Sequence, residues 1–99
     1  MHKDEKIFYQ IGFPEEYAKA YIEGDEVCFD IGQQSRGFAC GGQIIRKFSK
    51  SYVQKKSFDD FLIDLDAVDI ITSVVGEKHA EEVLDEMWKF LCTCSSGQY

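Results

Sequence analysis

The sequence contains a single proline, Pro14, and no long run of glycine and serine, so no stretch has the composition of an interdomain linker. It has no apolar run near the roughly 20 residues needed to span a bilayer, and its N-terminus lacks the apolar stretch of a signal peptide. We therefore expect a soluble cytoplasmic protein that makes no membrane contact. The 99 residues predict one α+β domain over residues 1–94, followed by a disordered tail over 95–99.

Histidine and the motifs of enzyme active sites are also scarce. The chain has 2 histidines, no G-x-S-x-G or H-E-x-x-H motif and no nucleotide-binding glycine loop. It has four cysteines, which are Cys28, Cys40, Cys92 and Cys94. They lack the paired C-x₂₋₄-C spacing of structural zinc sites, so reduced thiols are the favoured interpretation and a zinc site is the alternative. The sequence predicts no catalytic residue, no metal and no cofactor.

Apolar and aromatic side chains are well represented. The hydrophobic fraction is 44%, with 8 Phe, 5 Tyr and one Trp. A chain of this size buries roughly 60–70% of its unfolded surface, which is enough for a modest core without disulfides or metals. This composition predicts a folded domain and excludes an intrinsically disordered chain.

The N-terminal segment predicts one strand and one helix. Apolar and polar residues alternate over residues 7–13, which is typical of a half-buried strand. The residues on its expected inner face are Ile7, Tyr9, Ile11 and Phe13. Pro14, two glutamates after it and apolar residues at helical spacing predict a short helix over residues 14–23, ending at Gly24.

Alternation returns in the middle of the chain. Residues 26–48 predict a β-hairpin whose turn lies near residues 32–37 and whose second arm is interrupted by Gly41 and Gly42. Arg46 is in register with the inward-facing Ile44 and Phe48, whereas Lys47 points outward. Residues 51–54 predict a further short strand.

The last part of the chain is helical in pattern. Ser57, with Asp60 three residues later, predicts an acidic variant of the capping box at the start of a helix that ends at Gly76. A break near Ala67 would divide this helix, and a further helix follows over residues 77–91. The predicted fold is α+β, with a small, largely antiparallel sheet of three to four strands in the order β-α-β-β-(β)-α-α and C-terminal helices packed on one face.

Charge is strongly segregated along the chain. There are 11 cations and 18 carboxylates, for a formal net charge of −7. Residues 36–56 contain six cations and no carboxylate, whereas residues 57–99 contain ten carboxylates and two cations. Much of the basic stretch belongs to the predicted core hairpin, so we expect it to lie beside the acidic helices. Surface ion pairs there would contribute only about 0–1 kcal/mol each, and most carboxylates would remain unpaired.

These carboxylates predict a protein-binding surface. The candidate partner-binding residues are Asp59, Asp60, Asp64, Asp66, Asp69, Glu81, Glu82, Asp85 and Glu86. A carboxylate-rich surface associates rapidly with a basic groove such as that of a nuclease or a toxin. The favoured hypothesis is therefore a small inhibitor, such as a toxin-immunity protein, an antitoxin or a phage-borne nuclease inhibitor.

The alternative is a binder of nucleic acid or another anion. The candidate anion-binding residues are Arg36, Lys47, Lys50, Lys55 and Lys56, interleaved with aromatic residues as on single-strand-binding surfaces. The net charge of −7 and the sequence pI of about 4.7 argue against nucleic acid as the partner. Self-association between the basic hairpin of one copy and the acidic helices of another also stays open.

Overall fold

The computed structural model describes residues 5–12, 15–33 and 42–95. Four consecutive antiparallel strands form one sheet in the order β1-β2-β3-β4. The strands are β1 (Lys6–Gly12), β2 (Glu15–Glu23), β3 (Glu26–Gln33) and β4 (Gly42–Ser49). After a short 3-10 helix (Tyr52–Gln54) come three helices, α1 (Phe58–Leu65), α2 (Val68–Val75) and α3 (Glu77–Ser95). The predicted α+β class, with an antiparallel sheet and C-terminal helices, is confirmed.

The predicted helix over residues 14–23 is wrong, because Glu15–Glu23 is the strand β2. The apolar residues of this segment fit a helical spacing, but Ala18, Ala20 and Ile22 also alternate and face the core. Pairing with β1 on one side and β3 on the other favours the strand, and a local sequence pattern does not contain that information. Gly24 does not end a helix: with a φ of 63° it turns β2 back into β3.

Two smaller predictions also need correction. The predicted strand over residues 51–54 is the 3-10 helix. In β1, the pairing register shifts between Ile7 and Tyr9, as in a β-bulge, so strict alternation fails. As a result Phe8 packs against the core, with ring centroids 6.5 Å from Phe29, while Ile7 is 50% exposed. Phe13 and Pro14 lie outside the described residues.

An aromatic cluster joins the sheet to the helices. Phe61 of α1 is fully buried, and its ring centroid lies 5.6 Å from Phe29 of β3 and 5.3 Å from Phe48 of β4. On its other side it contacts Trp88 of α3 at 5.5 Å. Edge-to-face and tilted aromatic contacts of this kind add to the burial of apolar surface. Phe61 therefore links both layers of the domain.

The predicted capping box at Ser57 is confirmed. The Ser57 hydroxyl accepts a hydrogen bond from the Asp60 N–H at 3.3 Å, and the Asp60 carboxylate accepts one from the Ser57 N–H at 3.0 Å. This backbone hydrogen bond, with a further one from the Ser57 hydroxyl, lowers the pKa of Asp60 below its ordinary value. The box fixes where α1 begins.

Replacing Ser57 with alanine should therefore destabilise the protein. We expect Ser57→Ala to lower the free energy of unfolding by about 1 kcal/mol, because an N–H of the first turn loses its acceptor. Ser73→Ala is the matched control, since Ser73 is exposed inside α2 and caps nothing. Urea denaturation measures both, and equal free energies of unfolding for the two variants would contradict a stabilising cap.

Of the two helix arrangements that the sequence left open, the structure has the one with a break near Ala67, which gives three helices. Asp66 has a left-handed conformation with φ of 48°, and it ends α1. Two donors from the side chain of Arg46 meet the end of α1: Nε donates to the Leu65 carbonyl at 2.8 Å and Nη2 to the Asp66 carbonyl at 3.4 Å. A cation at the C-terminal end of a helix is favourable both as a donor and through the helix dipole.

Candidate functional site

The three helices together line a depression. Each helix contributes side chains four residues apart, which therefore lie on one helical face: Phe58 and Leu62, Val68 and Thr72, and Ala80 and Leu84. The depression has a volume of about 360 Å³ and is predominantly apolar. Glu77 and Glu81 of α3 belong to the same face as Ala80 and Leu84 and form its border.

Two further depressions continue the first. One, of about 470 Å³, lies at the junction of α1 and α2, and it shares Leu62 and Val68 with the first. The other, of about 370 Å³, lies beside α3 and shares Phe58 and Glu81. We call the three together the helical groove. Ile63 borders the α1–α2 end of the groove and is 74% exposed.

Carboxylates surround the helical groove. Six of the residues that line it are acidic and one is basic, Lys78. The acidic residues are Asp66, Asp69, Glu77, Glu81, Glu82 and Asp85. Five of these six are among the predicted partner-binding residues, so the structure brings together side chains from α2, α3 and the end of α1. Glu77 was not predicted, although its spacing from Ala80, Glu81 and Leu84 places it on the same helical face.

One of these carboxylates is paired with a lysine, and another lies near a histidine. Asp85 forms an ion pair with Lys89 at 2.9 Å, and that contact raises the pKa of Lys89. Glu82 lies 3.9 Å from the Nδ1 atom of His79. Over the described ranges, no ion pair involves Asp66, Asp69, Glu77 or Glu81. The groove therefore keeps carboxylates without an ion pair at the α1–α2 end of its apolar floor and along its α3 side.

The other predicted acidic residues do not line the helical groove. Asp60 belongs to the capping box, and Asp64 accepts a hydrogen bond from the Tyr52 hydroxyl. Asp59 is exposed in the first turn of α1, and Glu86 is half-buried on α3. Asp60 and Asp64 therefore form hydrogen bonds within the chain. The predicted partner-binding residues divide into those that line the helical groove and those that do not.

The predicted anion-binding lysines lie on different elements. Lys47 lies on the outer face of the sheet, opposite Cys28. Lys50 follows β4, where its backbone N–H donates to the Asp25 carbonyl at 3.0 Å, and Lys55 and Lys56 precede α1. Arg36 lies outside the described residues. Within the described chain, no ion pair joins these lysines to helix carboxylates, and the inward-facing Arg46 instead binds carbonyl oxygens at the end of α1.

The outer face of the sheet holds a polar cluster that the sequence did not reveal. Asp30 is only 5% exposed, and its carboxylate accepts hydrogen bonds from the Tyr17 hydroxyl at 3.0 Å and from Gln43 Nε2 at 3.1 Å. The Tyr17 ring lies directly over Gly32, where an added Cβ would overlap it. The cluster satisfies a buried carboxylate by hydrogen bonding and fixes the positions of three strands relative to one another.

Two of the described thiols are held in their protonated form. Burial raises the pKa of the free thiols Cys28 and Cys92, and a raised pKa makes a thiol less reactive. Cys40 lies outside the described residues. In the part of the chain that the structure describes, no three His, Cys, Asp or Glu side chains are grouped to hold a metal ion. No helix in that part has the length and apolar character required to cross a membrane.

Comparison with known proteins finds no match. No protein-family model matches the sequence, and no curated protein or solved structure matches it significantly.

Stability should decrease at alkaline pH. Burial, followed by the hydrogen bond to Asp64, raises the pKa of Tyr52 above the ordinary 10.0, and burial likewise raises the pKa of Tyr21 and of Cys28. Above about pH 9 the unfolded chain releases these protons while the folded chain retains them, so the free energy of unfolding falls as pH rises. Below that pH the stability associated with these three protonated side chains is fully present.

Urea denaturation at intervals between about pH 7 and about pH 11 measures this loss. Tyr52→Phe should make the decrease shallower, because phenylalanine has no proton to release. Tyr9→Phe changes a different tyrosine that also packs against the core, and serves as the comparison. A free energy of unfolding that stays constant over this interval would contradict the predicted linkage.

Proposed function

We propose that the protein is a cytoplasmic binding module that engages a basic protein through the carboxylates of the helical groove, and that it acts as an inhibitor of that partner. The observation that carries the proposal is the gathering of six carboxylates and one ammonium group around an apolar floor. Acidic helix faces that only confer solubility do not require such a floor. An apolar surface bordered by charge is the composition of a protein-binding site.

The electrostatics support inhibition of a nuclease or a toxin. Such enzymes present a basic groove to their own anionic substrates, and a carboxylate-rich surface competes for that groove. Complementary fields accelerate the encounter, and the net charge of −7 keeps the inhibitor away from nucleic acid. Toxin-immunity proteins, antitoxins and phage-borne nuclease inhibitors are the classes that this mode of action fits.

Affinity capture with matched charge variants tests the proposal. The groove variant combines Asp66→Asn, Asp69→Asn, Glu77→Gln and Glu81→Gln. The control variant combines Glu23→Gln, Asp25→Asn, Glu26→Gln and Asp59→Asn, which removes the same charge from exposed positions outside the groove. Both variants and the wild type are immobilised, and proteins retained from the cell of origin are identified by mass spectrometry and then purified for titration.

The expected result is one basic protein retained by the wild type and by the control variant. Its affinity should fall about tenfold or more in the groove variant, because several rim contacts of about 0–1 kcal/mol each are lost. Its affinity for the wild type should also fall as salt rises from about 0.05 M to about 0.5 M. A partner that binds both variants equally, or whose affinity is insensitive to salt, would overturn the proposal.

A further inference from the structure

We infer that the helical groove receives a basic amphipathic helix of the partner. The inference rests on the proposed function and adds the form of the element that is bound. The floor combines rows from three helices, and such rows of side chains four residues apart receive the apolar ridge of another helix. An amphipathic helix presents apolar residues at the same spacing and keeps its charged residues at the sides.

The borders of the groove specify the charge of the bound helix. Asp66 and Asp69 lie at one end of the apolar floor, and Glu77 and Glu81 lie along the α3 side. A helix seated on Leu62 and its neighbours brings its flanking side chains to both borders. Lysine and arginine at those flanks meet carboxylates, whereas glutamate or aspartate there meets like charge.

The walls of the groove exclude an extended peptide as the preferred occupant. Helices form the walls except at Asp66 and Ala67, and the backbone groups of the helices are already hydrogen-bonded within them. At the exception, the Asp66 carbonyl accepts a hydrogen bond from Arg46 and the Ala67 carbonyl accepts one from the Ile71 N–H. An extended segment would bury N–H and C=O groups without the free strand edge that satisfies them in strand addition. A helix brings its own hydrogen bonds and needs only side-chain contacts from its receptor.

Charge also excludes two other occupants. A fatty acid or another anionic lipid would place its headgroup beside the carboxylates of the border. A helix from a second copy of this protein would be acidic, because α1 and α2 contain no cation, and Lys78 and Lys89 on α3 are outnumbered by its acids. The described cations of the basic stretch lie on β4, beside a three-residue 3-10 helix or in the adjoining connections, so a second copy cannot present them on an amphipathic helix. The basic residues of the bound helix must therefore come from a different protein.

Titration with designed peptides tests the inference. The probe is a labelled peptide of about 18 leucine and lysine residues with leucine at helical spacing, long enough to fold on the groove. One comparison peptide has the same composition in scrambled order, and another carries glutamate in place of lysine. Fluorescence anisotropy gives the dissociation constant, and circular dichroism reports helix formation by the peptide on binding.

Two pairs of protein variants locate the site. Ile63→Lys alters an exposed residue of the groove, and Ile45→Lys makes the same change at an isoleucine that is 40% exposed on the outer face of the sheet. Glu77→Gln with Glu81→Gln removes charge from the border of the groove, and Glu23→Gln with Glu26→Gln removes it from the β2–β3 turn. None of these side chains is buried, so the variants should remain folded.

The amphipathic basic peptide should bind the wild type about tenfold more tightly than the scrambled peptide and become helical. Ile63→Lys and the Glu77/Glu81 variant should each weaken binding about fivefold or more, while the two control variants stay within about twofold. The acidic peptide should not bind at low salt.

The outcomes separate this inference from the proposed function. If the patterned and scrambled peptides bind equally well, and the Glu77/Glu81 variant binds neither, the inference that the groove receives a helix is wrong. The proposed electrostatic function would then remain intact. If Ile63→Lys and Ile45→Lys lower the affinity for the patterned peptide equally, the inference is also wrong, because the groove is then not the binding site. No binding of the patterned peptide at low salt overturns it as well, and the capture experiment then decides the function independently.

Discussion

Phe61→Ala should lower the free energy of unfolding by about 3–5 kcal/mol, which is the largest effect we expect of any single substitution in this protein. Phe61 is fully buried and contacts Phe29, Phe48 and Trp88. Truncation removes the transfer free energy of the ring and leaves a cavity between the sheet and α3. Domains of this size are commonly stable by only about 5–15 kcal/mol, so the loss is a large share of the total.

The matched control for this substitution lies two residues away on the same helix. Ile63→Ala removes an apolar side chain that is 74% exposed, and we expect a change within about 0.5 kcal/mol. Urea denaturation followed by far-UV circular dichroism measures both variants. If Phe61→Ala does not fold, Phe61→Leu should still fold and lose about 1–2 kcal/mol. Equal stability of Phe61→Ala and Ile63→Ala would contradict the assigned role of the aromatic cluster.

Arg46→Met should lower the free energy of unfolding by about 2 kcal/mol and loosen the junction of α1 and α2. The methionine side chain retains the apolar stem but cannot donate to the carbonyl oxygens of Leu65 and Asp66. A hydrogen bond from a charged donor is commonly worth about 1.5–3 kcal/mol, and the Leu65 carbonyl would lose a partner in a partly buried position.

Lys47→Met is the control for Arg46→Met because it removes the same charge from the next residue, which faces the outer side of the sheet. We expect it to change the free energy of unfolding by less than about 0.5 kcal/mol. Amide hydrogen exchange should show faster exchange over the last turn of α1 in Arg46→Met alone. Because Asp66 and Ala67 line the helical groove, the same variant should also bind the amphipathic basic peptide more weakly. An unchanged exchange rate at this turn would exclude Arg46 as its anchor.

Local chemistry in the sequence predicted the features that depend on near neighbours. Ser57 and Asp60 lie three residues apart, so their reciprocal hydrogen bonds can be recognised without the rest of the chain. The inward position of Arg46 followed from its register with Ile44 and Phe48, and β4 has that register.

The features that could not be predicted from the sequence depend on residues that are distant along the chain. Residues 17–22 satisfy a helical and an alternating pattern equally well, and only pairing with β1 and β3 favours β2. The shift in register at Phe8 results from pairing against β2 and has no clear local signal. The acidic residues of the groove were predicted as a charge pattern, but its apolar floor needs three helices in place. The Tyr17–Asp30 hydrogen bond similarly joins residues that only the sheet brings together.

The order of the elements has a consequence for synthesis on the ribosome. All four described strands precede all three described helices, so translation completes the sheet while Val27, Phe29 and Ile31 on its inner face still await their cover. An uncovered apolar sheet face is prone to aggregation, which favours fast translation of the following helices or protection by a chaperone. Because α3 supplies one wall of the helical groove, the groove is the last feature of the nascent chain to be completed.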